Sequence, residues 1–322
     1  MTCLNAKPKV KYGVPSPIVW ANLLFSQSFF RRLKEKKQNS KGLKTLLIIL
    51  GFAAFGAVFG ALLAYSSLLD QVVPEPEQFN IWLALLLLAA LFGALLVHEL
   101  GHLIAGLVQG FSFEMLVVGF LGMRRNEQGR IELYWNTDWG LFGGVAATTP
   151  APDSQEIPVK IGRVLLAGPL ASLVLTGLCF GGMPWLNPIF AFALLVCGLV
   201  SFALFLATTL PDQTGVFYTD RKRYQRLTGS GKEREIEMAL IQVMEAELKG
   251  LPIQTLDRQT IQRITEDEAP MFRYLGYYFL SIFDQDNPEK LQESLALMAA
   301  AEPEIPRSIA LRLRKELAKK SK

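Results

Sequence analysis

Histidine is almost missing from this chain. Its 322 residues contain two, His98 and His102. Any site that needs several imidazoles must therefore use both. Cysteine is nearly as scarce, with three: Cys3 near the start, and Cys179 and Cys197 within apolar segments. That spacing excludes a disulfide framework and a cysteine-built zinc site. Acid is scarce at the start, where residues 1–44 carry a run of Lys and Arg against the single acid Glu35. The first 42 residues lack an early apolar core followed by small residues, so no cleavable signal peptide is expected. The net charge of +4 is too small and too scattered to point to nucleic acid.

What the chain does have is long apolar runs. Hydrophobic residues make up 51% of it and collect in blocks, with charge between them. Four blocks lie near 45–69, 81–108, 161–181 and 188–210, each roughly the 20 residues a helix needs to cross the hydrocarbon layer. The expected fold is an α-helical polytopic membrane protein. It has four transmembrane helices, a small membrane-associated β-hairpin and a cytoplasmic all-α C-terminal domain. The hairpin is expected from Phe113–Gly119 and Ile131–Trp135, rich in β-branched and aromatic residues and separated by the polar run Arg125–Gly129. Leu141–Thr149 continues it, Gly- and Ala-rich.

Charge sets the expected orientation. The basic segment 1–44 stays inside by its Lys and Arg content. Within it, Ile18–Phe30 reads either as an amphipathic helix at the membrane surface or as part of a solvated basic tail. The stretch Asp70–Asn80 carries Asp70, Glu75 and Glu77 without a basic residue and falls outside. Arg124, Arg125, Arg130 and Lys160, then Arg221, Lys222, Arg223 and Arg226, mark inner segments. The location expected is the cell membrane, multi-pass, with both termini cytoplasmic. Three domains follow: a basic N-terminal segment at 1–44, a transmembrane domain at 45–226 and a helical domain at 232–322. The last rests on helical periodicity in Glu233–Leu248, Met271–Phe283, Pro288–Ala300 and Arg307–Lys319.

The chemistry-bearing pattern is His98-Glu99-Leu100-Gly101-His102, inside the second apolar block. Residues four apart share one helix face, so both imidazoles can reach one metal ion, and Glu99 can face a water on that ion. Zinc lowers the pKa of such a water to about 7, and a carboxylate can take its proton. Two imidazoles and a carboxylate in a lipid-spanning helix are costly and by default mark function. A catalytic zinc takes three protein ligands, and no third histidine exists. Asp212 and Asp220 follow the fourth block at the depth of His98, and Glu114 is a further rival. Asp70, Glu75 and Glu77 lie at the opposite face, and the two membrane cysteines lie toward the outer side.

These residues resemble the site-2 protease family of intramembrane zinc metalloproteases, of the bacterial type. The motif at 98–102 matches the family's zinc motif. Gly168-Pro169-Leu170-Ala171-Ser172 is similar to its Gly-Pro-x-x-Asn motif. Leu210-Pro211 followed by Tyr218-Thr219-Asp220 is similar to the segment that carries the third ligand. The resemblance covers about residues 81–226. It implies Zn2+ as cofactor, Glu99 as the catalytic carboxylate, and His98, His102 and Asp220 as ligands. Gly168, Pro169 and Ser172 become substrate-binding or supporting residues, and the β element a holder of unwound substrate. Two departures stand out: Ser172 replaces the family's Asn, and Arg221 replaces the Gly after the ligand Asp.

The function expected is zinc-dependent intramembrane endopeptidase, a metalloendopeptidase of regulated intramembrane proteolysis. It would cut a membrane-anchored peptide or protein near the cytoplasmic face. The alternative is a non-catalytic membrane protein that binds substrate and retains the protease fold. Expected partners are that substrate, the lipid bilayer and a protein that docks on the C-terminal helical domain, with no nucleic acid. A transporter is disfavoured because the chain shows no paired halves.

Overall fold

A computed structural model of the protein describes residues 73–320 except 127, 139–140, 151–155 and 215. The basic segment 1–44 and the first apolar block, 45–69, lie outside the described residues. The described chain divides into two units, one running to Met238 and one from Ala239 onward.

Three helices of the first unit are long and apolar enough to cross a membrane: α1 (Ile81–Val108), α2 (Ile157–Gly182) and α3 (Pro188–Thr209). Their ends follow from local chemistry. The Asn80 side chain accepts from the Trp82 and Leu83 amides at 3.0 and 3.1 Å and starts α1. Asn187 accepts from the Phe190 amide at 3.2 Å, and Pro188 fits the first turn of α3. A 3-10 turn at Met183–Trp185 links α2 to α3. Each of the three helices packs against the other two. At 1.5 Å per residue α1 is about 42 Å long, more than the ~30 Å hydrocarbon layer. Ile81, Trp82, Leu85, Leu88, Ile104 and Val108 are exposed on it, an apolar surface suited to lipid rather than water.

The segment between α1 and α2 is not the hairpin expected from its sequence. It is a four-stranded antiparallel sheet of β1 (Ser112–Val118), β2 (Leu121–Arg125), β3 (Ile131–Trp135) and β4 (Val145–Thr149), in the order β3-β2-β1-β4. The run Ile131–Trp135 pairs with β2, not with β1. Strand β2, Leu-Gly-Met-Arg-Arg, carries a glycine and two arginines, so propensity hides it. The arginines are satisfied within the sheet: Arg124 pairs with Glu132 across the strands, and Arg125 donates to the Phe113 carbonyl at 2.8 Å. Strands β2 and β3 are amphipathic. Leu121 faces Trp135 and Met123 faces Leu133 on one side, with Leu121, Ile131, Leu133 and Trp135 exposed. Toward β1 the sheet packs on α1, where Leu103 meets Phe113 and Leu116, with Leu100, Met123 and Ala146 around them.

After α3 come two-residue strands β5 (Gln213–Thr214) and β6 (Phe217–Tyr218), then α4 (Asp220–Thr228) and α5 (Lys232–Leu248). Helix α4 is held by charge. Glu237, fully buried, accepts from Arg223 at 2.7 Å and from Arg226 at 3.2 Å, and Arg226 lies 4.3 Å over the Tyr218 ring. Such a buried pair resists loss of one partner, because the survivor keeps an uncompensated charge.

The second unit, taken by itself, holds the last turns of α5 and helices α6 (Arg258–Ile264), α7 (Pro270–Phe283), α8 (Pro288–Ala301) and α9 (Arg307–Lys320). The periodicity of its sequence misses α6, which is too short to show one. Helix α7 is the centre, with Met271, Tyr274, Tyr278 and Phe279 all buried, and burial pushes the Tyr274 hydroxyl up to about 12. Arg258 holds the buried Asp284 through two bonds of 2.9 Å, tying α6 to the end of α7.

Candidate metal centre

His98 and His102 lie one turn apart on α1, their rings 5.0 Å apart and nearly perpendicular. Asp220 opens α4, where the Thr219 hydroxyl accepts from the Lys222 amide. The helix N-terminus favours a carboxylate there. Asp220 Oδ2 stands 3.7 Å from His98 Nε2 and 3.6 Å from His102 Nε2. A tetrahedral ion with bonds of about 2.1 Å spaces its ligands about 3.4 Å apart, so the three atoms fit one zinc-sized ion. They are the three-residue donor group that can hold a metal ion among the described residues. Burial opposes ionisation of Asp220, but the two imidazoles more than offset it and hold its carboxyl well below the usual range.

The second ring nitrogens are also placed. His102 Nδ1 donates to the Val164 carbonyl at 2.7 Å, and His98 Nδ1 lies 2.8 Å from the Ser172 hydroxyl, both on α2. Because a carbonyl only accepts, Nδ1 of His102 carries a proton, which leaves Nε2 as the ring nitrogen that can bind a metal ion. Gly168 leaves room for this arrangement: a Cβ there would overlap the His102 ring. Pro169 supplies no amide to the helix ladder in the same stretch of α2.

Glu99 is buried beside the two histidines, with the backbone of β4 near its carboxylate. Gly144, at φ 106, brings its backbone against the Glu99 carboxylate, where a side chain would collide with it. β4 is an edge strand, paired on one side with β1 and on the other with no strand among the described residues. The two rival acids, Asp212 and Glu114, are engaged elsewhere. Asp212 pairs with Arg221 at 2.8 Å, and Glu114 accepts from Thr149 at 2.7 Å. Sequence reasoning missed Gly144 and the Val164 carbonyl. The carbonyl is a backbone group that leaves no mark in a sequence; the Gly143-Gly144 pair reads from sequence only as close packing.

An apolar helix thus brings two imidazoles and a carboxylate to an aspartate from a later helix, a group that could hold a metal ion. No curated protein and no solved structure matches the chain. The family model for peptidase family M50 matches residues 86–285, a span that takes in most of α1, all of α2 and α3, the sheet and α4. The chain belongs to peptidase family M50, the site-2 protease family.

Proposed function

We propose that this protein is a zinc-dependent intramembrane endopeptidase that cuts a membrane-anchored peptide or protein near the cytoplasmic face. The observation that carries the reading is the convergence of His98, His102 and Asp220 with Glu99 beside them. Two imidazoles and one carboxylate are the donor set of a catalytic zinc site that keeps a position open for water or substrate. A zinc ion there supplies Lewis acidity toward a carbonyl oxygen and lowers the pKa of a water ligand. Glu99 takes the proton from the attacking water on its carboxylate and delivers it to the leaving amine nitrogen. The Gly144 backbone keeps that carboxylate in place. Ser172 orients the His98 ring, and the Val164 carbonyl fixes a proton on His102 Nδ1. The outer edge of β4 receives an extended segment of substrate by backbone pairing, which brings a peptide bond to Glu99.

Topology completes the proposal. A first crossing at 45–69 joins the three helices, with 1–44 and the domain at 232–322 in the cytoplasm and the metal centre opening to that side. The exposed Leu121, Ile131, Leu133 and Trp135 rest against the bilayer, with Arg124 and Glu132 on the opposite face of the sheet.

The test compares membrane peptides from cells carrying the wild-type protein and Glu99→Gln. This variant removes the proton acceptor and leaves the three ligands. A peptide cut only by the wild type, with equal zinc in both proteins, is the expected result. Cleavage at the wild-type rate by the variant removes Glu99 from the chemistry. Identical peptide profiles with and without the wild-type protein favour a substrate-binding role.

A further inference from the structure

Arg221 stands directly after Asp220, in the first turn of α4. Its guanidinium reaches back to the end of α3. Nε donates to the Thr209 carbonyl, and Nη2 donates to the Leu210 carbonyl at 3.2 Å and to Asp212 Oδ1 at 2.8 Å. The neighbouring residues do similar work. The Thr219 hydroxyl donates to the Pro211 carbonyl at 2.7 Å, the Thr219 amide to the Asp212 carbonyl at 3.1 Å, and the Thr214 hydroxyl to the Ala207 carbonyl at 3.1 Å. The last carbonyls of a helix have no partner within it, and a cation suits that end. Arg221 thus caps α3 while its own backbone belongs to the start of α4.

We propose that Arg221 is a positioning residue for Asp220: by clamping the carbonyl end of α3 to the first turn of α4, it fixes the third carboxylate over His98 and His102 and keeps Asp212 engaged away from them. The proposal rests on reading those three residues as a metal centre. A planar fork with several donors can hold two carbonyls and a carboxylate at once, which the ammonium of lysine does less well. The clamp also accounts for an arginine at this position. Arg221 lies within a helix, and Glu156 is the one non-glycine residue with positive φ among those described. No glycine conformation is therefore required at 221.

The test is zinc affinity of the purified full-length protein, measured by competition with a chromophoric chelator, together with the visible spectrum of its cobalt(II) form. The variants are Arg221→Met, which keeps the length of the stem and removes every donor, Arg221→Lys, Asp212→Asn, and His98→Ala as a control. Circular dichroism and the melting temperature of the metal-free proteins report folding. The expected result for Arg221→Met is a loss of zinc affinity of about 10- to 100-fold, the range for residues that orient a ligand. Its cobalt spectrum shifts from that of the wild type, and its metal-free melting temperature stays at the wild-type value. Arg221→Lys recovers part of the loss, and Asp212→Asn stays near wild type. Wild-type zinc affinity and an unshifted cobalt spectrum in Arg221→Met overturn the proposal while His98→Ala still loses zinc. If Arg221→Met does not fold, Arg221→Lys decides alone, and wild-type affinity with a wild-type spectrum in it overturns the proposal. If His98→Ala binds zinc as tightly as the wild type, the metal-centre reading fails, and the positioning role falls with it.

Discussion

The Ser172 hydroxyl and His98 Nδ1 stand 2.8 Å apart, inside the contact between α2 and α1. Ser172 is fully buried. It occupies the place of the family's Asn, and a hydroxyl is enough to accept from an imidazole N–H. Ser172→Ala is therefore expected to weaken zinc binding by about tenfold, through loss of the partner that orients the His98 ring. Chelator competition on the purified protein measures this. Unchanged affinity would reduce Ser172 to helix packing.

Gly168→Ala places a methyl group where the His102 ring lies. Either the ring swings away from Asp220 or α2 moves back from α1. The expected outcome is loss of bound zinc together with destabilisation of about 1–3 kcal/mol, the usual cost of overpacking. Zinc content and a melting curve report the two effects separately.

Two aspartates bracket β5 and β6, and their partners differ. Asp220 faces both imidazoles, whereas Asp212 is largely exposed and held by Arg221. Asp220→Ala is expected to empty the site of zinc, and Asp212→Ala to leave it filled. Metal analysis after gel filtration distinguishes them, and the reverse pattern would exchange their roles.

The metal centre is expected to open to the cytoplasm. Single cysteines at Gln128, in the turn between β2 and β3, and at Ser230, between α4 and α5, are placed in a cysteine-free background. Both should react with a membrane-impermeant thiol reagent only after permeabilisation. A cysteine at Gln71 should react in intact cells. Labelling of Gln128 in intact cells would turn the topology over.

The parts of this protein that are legible from sequence are those with a repeat or a fixed offset. Helices α1 and α3 stand out because an unbroken apolar run of that length has few other uses. His98 and His102 stand out because a spacing of four puts them on one face. Strand β2 does not stand out, since Arg124 and Arg125 read as loop until Glu132 and the Phe113 carbonyl are seen to receive them. Asp212 and Asp220 both follow Leu210 closely enough to be rivals, the resemblance alone prefers Asp220, and the fold separates their surroundings. Arg221 reads as a defect in a glycine turn, whereas the chain is helical there and the side chain is tied to α3. Contacts made by backbone atoms, such as the Val164 carbonyl, have no residue type to announce them.

The donor group draws on distant parts of the chain: the histidines belong to α1, and the aspartate follows only after the sheet, α2 and α3. During synthesis the imidazoles and Glu99 leave the ribosome and enter the bilayer long before Asp220 exists. Chains emerge N-terminus first at about 5–20 residues per second, so this interval lasts seconds. Through it, the polar face of α1 has only the partners that β4 and then α2 bring as they are made. On the proposed reading, all three donors are present to hold an ion only once α4 has been made.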